Sequence, residues 1–133
     1  MKKAIEENGE KIINTWTLHC IPFESSKFLG KLHVTDDSIY FDAQFDSSLR
    51  GLMKSVVTSA VVSSGHALIV SSRIIEEWEN KGYMFIDKKS IKNIEEKSSF
   101  LKKTIILTLE DDSVVIFDYG IMGVKKIIKA IKQ

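Results

Sequence analysis

Cysteine and proline are almost missing from this sequence: Cys20 and Pro22 are the only residues of their kinds. A single thiol excludes an internal disulfide and any multi-thiolate metal centre, and it fits a reducing compartment. One proline and seven glycines leave no linker, so 133 residues read as a single domain, 1–133, able to bury one core without staples. The glycines are scattered and follow neither P-loop nor dinucleotide-binding spacing. Charge of one sign is also lacking. Nineteen Lys and Arg face 18 Asp and Glu, a formal net charge of +1, so no global field gathers nucleic acid and any electrostatic function must be local. In "MKKAIEENGEKII", Glu6, Glu7 and Glu10 stand where a secretory signal needs an apolar core. The expected location is cytoplasmic, with peripheral attachment to a membrane as the variant considered below.

What the sequence does contain is alternation. Leu32 and Val34 alternate with Lys31, His33 and Thr35, and Ile39, Phe41, Ala43 and Phe45 alternate with Ser38, Tyr40, Asp42 and Gln44. A period of two on both sides of Asp36-Asp37 predicts a half-buried hairpin, and Asp suits the tip because it hydrogen-bonds its own backbone. The phrase returns at Ile105, Leu107 and Leu109, then Val115, Phe117 and Tyr119, around Asp111-Asp112. Residues 11–21 predict a first strand, and "YMFID" and "SIKNIEEK" two more, for about seven in all. At the end the period changes: Ile121, Val124, Ile127, Ile128 and Ile131 fall three or four apart, with lysines opposite. That predicts an amphipathic helix, its lysines placed toward the C-terminus where the macrodipole favours them.

Residues 47–73 break the strand rhythm. Leu49, Leu52, Met53, Val56, Val57, Ala60 and Val61 follow helical spacing, with Gly65 as a stop, and Ile75 and Trp78 suit a short helix. The expectation is a helical insertion at about 47–80, after the third strand. From Arg50 to Arg73 the chain has no acid. Arg50 and Lys54, with several serines and threonines, lie opposite an apolar stripe that includes Val57. A weakly charged polar face of this kind suits an interfacial helix on lipid, and the stripe equally suits packing within the chain or against a subunit. The polar residues among them argue against a membrane span.

Phe28, Gly30, Leu32, Thr35, Ile39, Tyr40 and Phe41 resemble the opening of the GRAM family, within the pleckstrin-homology-like fold: a glycine before a strand, a threonine at the turn and an aromatic pair after it. "MFIDKKSIKNIEEK" is similar to the family's next segment, with Ile91 and Ile94 as its recurring aliphatics, and Asp112 stands where the family often has glycine at the last hairpin tip. The resemblance implies a mainly β (α+β) fold, an antiparallel barrel or two packed sheets of about seven strands closed by the C-terminal helix. It implies lipid binding most often and protein binding in other members. Lipid-binding relatives hold phosphates near the first strand-loop-strand, and here that region offers Lys27 and Lys31 with no arginine to grip bidentately.

The residues suited to chemistry do not assemble into a site. His19, His33 and His66 share no ligand spacing, and His19 and Cys20 are strand neighbours that point to opposite faces. Paired aspartates at two turns offer too few oxygens for calcium. No enzyme, cofactor, metal site or nucleic-acid partner is expected. The expected function is a non-catalytic binding module in peripheral association with anionic lipid or a membrane-bound partner, through Arg50, Lys54, Val57, Lys27 and Lys31. The alternative is a soluble protein-interaction or homo-oligomer assembly domain using the inserted helix.

Overall fold

The computed structural model describes residues 1–23, 26–44 and 70–133. Along the chain these form α1 (Lys2–Glu7), β1 (Ile12–Phe23), β2 (Ser26–Thr35), β3 (Ser38–Ala43), α2 (Ser72–Lys81), β4 (Met84–Asp87), β5 (Ile91–Ser98), β6 (Lys103–Leu109), β7 (Val114–Asp118) and α3 (Lys125–Lys132). The strands make one antiparallel sheet in the order β4-β3-β2-β1-β7-β6-β5. Seven strands, both hairpins, the closing helix and a helix after β3 agree with the sequence reading. The helix expected over residues 49–61 lies outside the described residues.

The sheet differs from the expected barrel or pair of sheets. It is one continuous ladder, open between β4 and β5, which are joined by a short helical turn at Lys88–Ser90 without pairing. It bends instead of closing. β3 and β7 lie three strand spacings apart, about 14 Å in a flat sheet, yet the rings of Phe41 and Phe117 are 5.7 Å apart. The bend falls at β1, which pairs with β7 only at His19 and Cys20. The concave side is closed by α2, whose Ile74, Ile75 and Trp78 are buried, and by α3, which contributes Val124, Ile127 and Ile131.

Local chemistry explains the elements. α2 begins at Ser71, whose hydroxyl accepts from the Ile74 N–H, and stops at Gly82, which takes φ 85°, a backbone that glycine adopts without cost. Thr35 fixes the first hairpin: its hydroxyl oxygen accepts from the Ser38 N–H at 2.8 Å and the Asp37 N–H at 3.2 Å. At the second hairpin Asp112 sits at φ 66°, a left-handed position that aspartate tolerates better than most residues. In α3 the helix starts at Lys125, so Ile121 is not part of its stripe and stands 71% exposed.

The first hairpin is buried on both faces rather than one. His33, Thr35 and Tyr40, on the convex face, are covered along with the inward Leu32, Val34, Ile39 and Phe41. The cover is α1 and the chain that follows it, an element absent from the sequence expectations. Ile5 is fully buried. Asn8 donates to the Tyr40 hydroxyl, Tyr40 donates to Glu10, and Thr35 donates to Glu10 at 2.7 Å. His33 pairs with the Thr15 hydroxyl at 2.8 Å, and burial lowers its pKa.

Two outcomes test this architecture. An added Cβ at Gly30 would lie 2.4 Å from the Asp42 carbonyl oxygen and 2.8 Å from Ala43 Cα, backbone that cannot step aside. Gly30→Ala should therefore cost about 1–3 kcal/mol in chemical denaturation, and an unchanged midpoint would contradict this packing. Burial first, then the bond to Glu10, pushes the Tyr40 phenol up from 10.0 to about 12. A raised folded value stabilises fully below the unfolded pKa and is lost as pH rises through the folded one. Stability should fall between pH 10 and about 12, and Tyr40→Phe should remove part of that fall.

Candidate functional site

Lys27 and Lys31 do not form a phosphate pincer. Both lie on β2 and point to the convex face, four residues or about 13 Å apart, with Leu29 between them, 42% exposed. Lys27 is already engaged, with its ammonium 2.8 Å from Asp118 Oδ2. Arg50, Lys54 and Val57 lie outside the described residues. Cys20 is fully buried at the concave face, where desolvation pushes its thiol well up, the opposite of a nucleophile's environment. Glu10, Asp36 and Asp37 bring carboxylate oxygens within 4.8 Å of one another. Glu10 is engaged by Thr35 and Tyr40, and Asp36 accepts the Lys11 N–H.

The residues that stand out are elsewhere. Six large apolar side chains are exposed among the described residues, and four of them share one end of the sheet: Phe100 (94%), Leu101 (69%), Ile121 (71%) and Met122 (56%). Phe100 and Leu101 occupy the tip between β5 and β6, in a tight turn closed by the Ser99 N–H donating to the Lys102 carbonyl at 2.8 Å. The middle positions of so tight a turn have nothing to pack against, so both side chains project outward. Ile121 and Met122 lie between β7 and α3, in a loop opened by Gly120 at φ 64° and held by its N–H donating to Asp118 Oδ1 at 2.8 Å. Two backbone bonds lash the loops together: Lys103 N–H to the Gly120 carbonyl at 2.7 Å, and Tyr119 N–H to the Lys103 carbonyl at 3.0 Å.

Positive charge surrounds these tips. Lys97, Lys102 and Lys103 flank the hairpin, while Lys125 and Lys126 open α3. Among the described residues Lys97, Lys102, Lys125 and Lys126 have no ion-pair partner. The α3 N-terminus has no side-chain cap, so its free N–H groups and its dipole add to the same field. A groove of about 790 Å³ opens beside the loops, lined by Trp16, Tyr119 and Met122, by Lys103, Lys125 and Lys126, and by one acid, Glu96. Asp118 is a second acid, buried beneath the loops. Burial alone would raise its pKa, but the Lys27 ammonium and the Gly120 N–H outweigh that and hold it below the usual carboxylate range.

The sequence reading noted the lysine density at Lys97, Lys102, Lys103 and the last helix but did not single out Phe100, Leu101 or Met122 at this end. A Phe-Leu pair set in "KSSFLKK" was its available signal, because hairpin tips are ordinarily polar and an apolar pair there asks for a function. Adjacency of the two loops follows from the predicted second hairpin together with the pairing of β5 on β6.

No protein-family model and no curated protein matches this sequence. Among solved structures, the C-terminal domain of an unknown protein from Leishmania infantum is similar, with a TM-score of 0.60 and 12% identity over 99% of this chain and 92% of that one. At that identity the likeness concerns the fold alone. The fold and the exposed end define a mainly β domain, one open seven-strand sheet with helices on its concave side. No helix among the described residues is long and apolar enough to cross a membrane.

Removing the Lys27 ammonium should expose the strain on Asp118. A depressed carboxylate stabilises above its unfolded value and loses that contribution as pH falls through the folded one. Lys27→Ala should thus shift the acid-unfolding midpoint to higher pH, and cost about 1 kcal/mol near neutrality, a figure reduced for the half-exposed lysine. An unmoved acid midpoint would contradict the pairing.

Proposed function

We propose that this chain is a non-catalytic binding module on a pleckstrin-homology-like, GRAM-like sheet, acting by peripheral association with anionic membrane lipid. The observation that carries the reading is the clustering of Phe100, Leu101, Ile121 and Met122 at one end, among lysines that form no ion pair among the described residues. Exposed side chains of this size are costly in water, and each gains about 1.5–3 kcal/mol when it moves into an apolar phase. Each nearby lysine adds about 1 kcal/mol against an anionic leaflet. The two contributions act at different depths, with the tips entering the acyl boundary while Lys97, Lys102, Lys125 and Lys126 stay at the phosphates. Neither alone suffices for a small domain, which is why their coincidence at one end supports the reading.

The GRAM-like features agree with this in a limited way. Gly30, Thr35 and the aromatic pair at 40–41 serve the first hairpin's close packing and turn, so they support a shared scaffold and leave recognition to the loops. Lys27 and Lys31, on the convex face, are peripheral to the proposed contact.

Flotation of the purified chain with liposomes separates the two contributions. Vesicles containing phosphatidylserine should carry the protein upward at low salt, and raising the salt should weaken the lysine part while leaving the apolar part. Phe100→Ser with Leu101→Ser should reduce the bound fraction about tenfold or more, with thermal stability unchanged because both side chains are exposed. Equal flotation of this variant, or none of the parent protein on any vesicle, would refute the proposal.

A further inference from the structure

α1 is poorly built as a helix. It has six residues, too few to hold a helix together in water. Its N-cap makes no side-chain bond, Lys2 and Lys3 stand in its first turn, and Glu6 and Glu7 stand in its last. Those charges oppose the helix dipole at both ends, so α1 persists because of what it lies on. Ile5 is its one buried residue and is not part of the concave core cluster. The rest of the attachment is polar. Asn8 reaches Tyr40, and Glu10 accepts from Tyr40 and Thr35. A two-way clasp follows, in which the Lys11 N–H donates to Asp36 Oδ1 and the Asp36 N–H donates to the Lys11 carbonyl, both at 3.1 Å. The joint between helix and clasp is Gly9, at φ 74° with open space beside it. An element held by one apolar side chain and a few hydrogen bonds belongs to the low-stability end of a structure and opens without the rest.

What α1 covers can take a proton. His33 lies on β2 between Thr15 of β1 and Tyr40 of β3, its register partners, and is only 3% exposed. The Thr15 hydroxyl pairs with its Nδ1 at 2.8 Å, and Tyr40 is tied in turn to Glu10 and Asn8. The charges facing His33 are unequal: Lys31 on its own strand, Lys2 of α1 and the Met1 amino group are cationic, and Asp42 of β3 is the opposing carboxylate. Burial is the main cause of its lowered pKa, and the three cations add to burial while Asp42 works against it. An imidazolium is therefore hard to hold beneath α1 and easy to hold once water reaches it.

We infer that α1 and the chain to Glu10 form an acid-released strap: protonation of His33 lifts residues 1–10 from the convex face while the sheet stays folded. The closed form binds the proton less tightly than the open one. The strap is thus held fully above the ordinary histidine value of 6.5 and loosens as pH falls below it. Glu10 holds the latch through both carboxylate oxygens, and its own protonation acts in the same direction. Release uncovers Tyr40, whose ring lies 5.2 Å from Phe85 and 5.7 Å from Tyr83, and so extends an aromatic row across the convex face.

Hydrogen exchange on the full chain, without lipid, reads the strap through the amides of Asn8, Gly9 and Glu10, which bond back into α1. After allowance for the intrinsic pH dependence of exchange, their protection should fall about tenfold between about pH 7.5 and 5. Amides of β1 and β6 should keep theirs, and the His33 ring should titrate over the same range by NMR. His33→Asn, which keeps an amide beside Thr15, should remove most of the fall. That position lies in the packed sheet, so an exposed substitution gives a second reading. Lys2→Glu takes away a cation facing His33 and suits the helix dipole, and should raise protection at about pH 5 by about threefold. Protection indifferent to pH, an acid response that survives His33→Asn, no gain from Lys2→Glu, or loss of the β1 and β6 protection together with the strap would overturn the inference. Because lipid is absent, the result is independent of the flotation outcome.

Discussion

Phe41 holds the two halves of this molecule together. Its ring meets Trp78 of α2 edge-on at 5.7 Å and Phe117 of β7 at 5.7 Å, so one β3 side chain touches both the covering helix and the far half of the sheet. Aromatic edge-to-face pairs contribute beyond the area they bury, and here they also fix geometry. Phe28 adds a second edge contact to Trp78 at 6.1 Å. The sheet must bend at β1 for these rings to meet, and Gly30 on β2 leaves the space that β3 and the Phe41 ring occupy, with no room for a Cβ beside Asp42, Ala43 and Phe41 Cζ. Bend, core and helix positions follow from that constraint.

An open sheet has consequences for its rim. Once α2 and α3 fill the concave side, the core is complete without joining β4 to β5, so two edges remain. The hairpin tips at one end have no layer to pack against. Apolar residues at such a tip gain nothing from the fold, and Phe100 at 94% exposure is the extreme case. The lysines around it serve no ion pair among the described residues, whereas Lys27, Lys92 and Arg73 all do. The apolar contacts that stabilise the domain thereby lie inside the bend, while the exposed apolar tips and the unpaired strand edges lie on its rim.

Much of the scaffold was legible from the sequence. Alternation placed both hairpins because a half-buried strand repeats every two residues, and the change to a three-four spacing placed α3. The open sheet was not legible, because periodicity states which face is apolar and is silent on whether the ladder closes. Nor was the second buried face of the first hairpin, since His33, Thr35 and Tyr40 look like solvent-facing residues until α1 and Glu10 are brought over them. The candidate residues on the insertion fell outside the described part of the chain, and Lys27 proved to be the partner of an acid 91 residues away.

By itself the sequence determined the class of structure: a mainly β domain with two aspartate-tipped hairpins and a closing amphipathic helix, lacking spacing for a disulfide, a thiolate metal centre or a phosphate-cradling loop. These are local properties, set by side-chain period and turn chemistry within a few residues. Only the tertiary structure decided where the sheet bends, which edge stays free, and that Phe100 and Ile121 belong to the same end. The bend and the free edge depend on β1 pairing with β7 and on rings meeting across the core, contacts between residues far apart in the chain that no local pattern encodes, and the shared end depends on β5 lying beside the second hairpin.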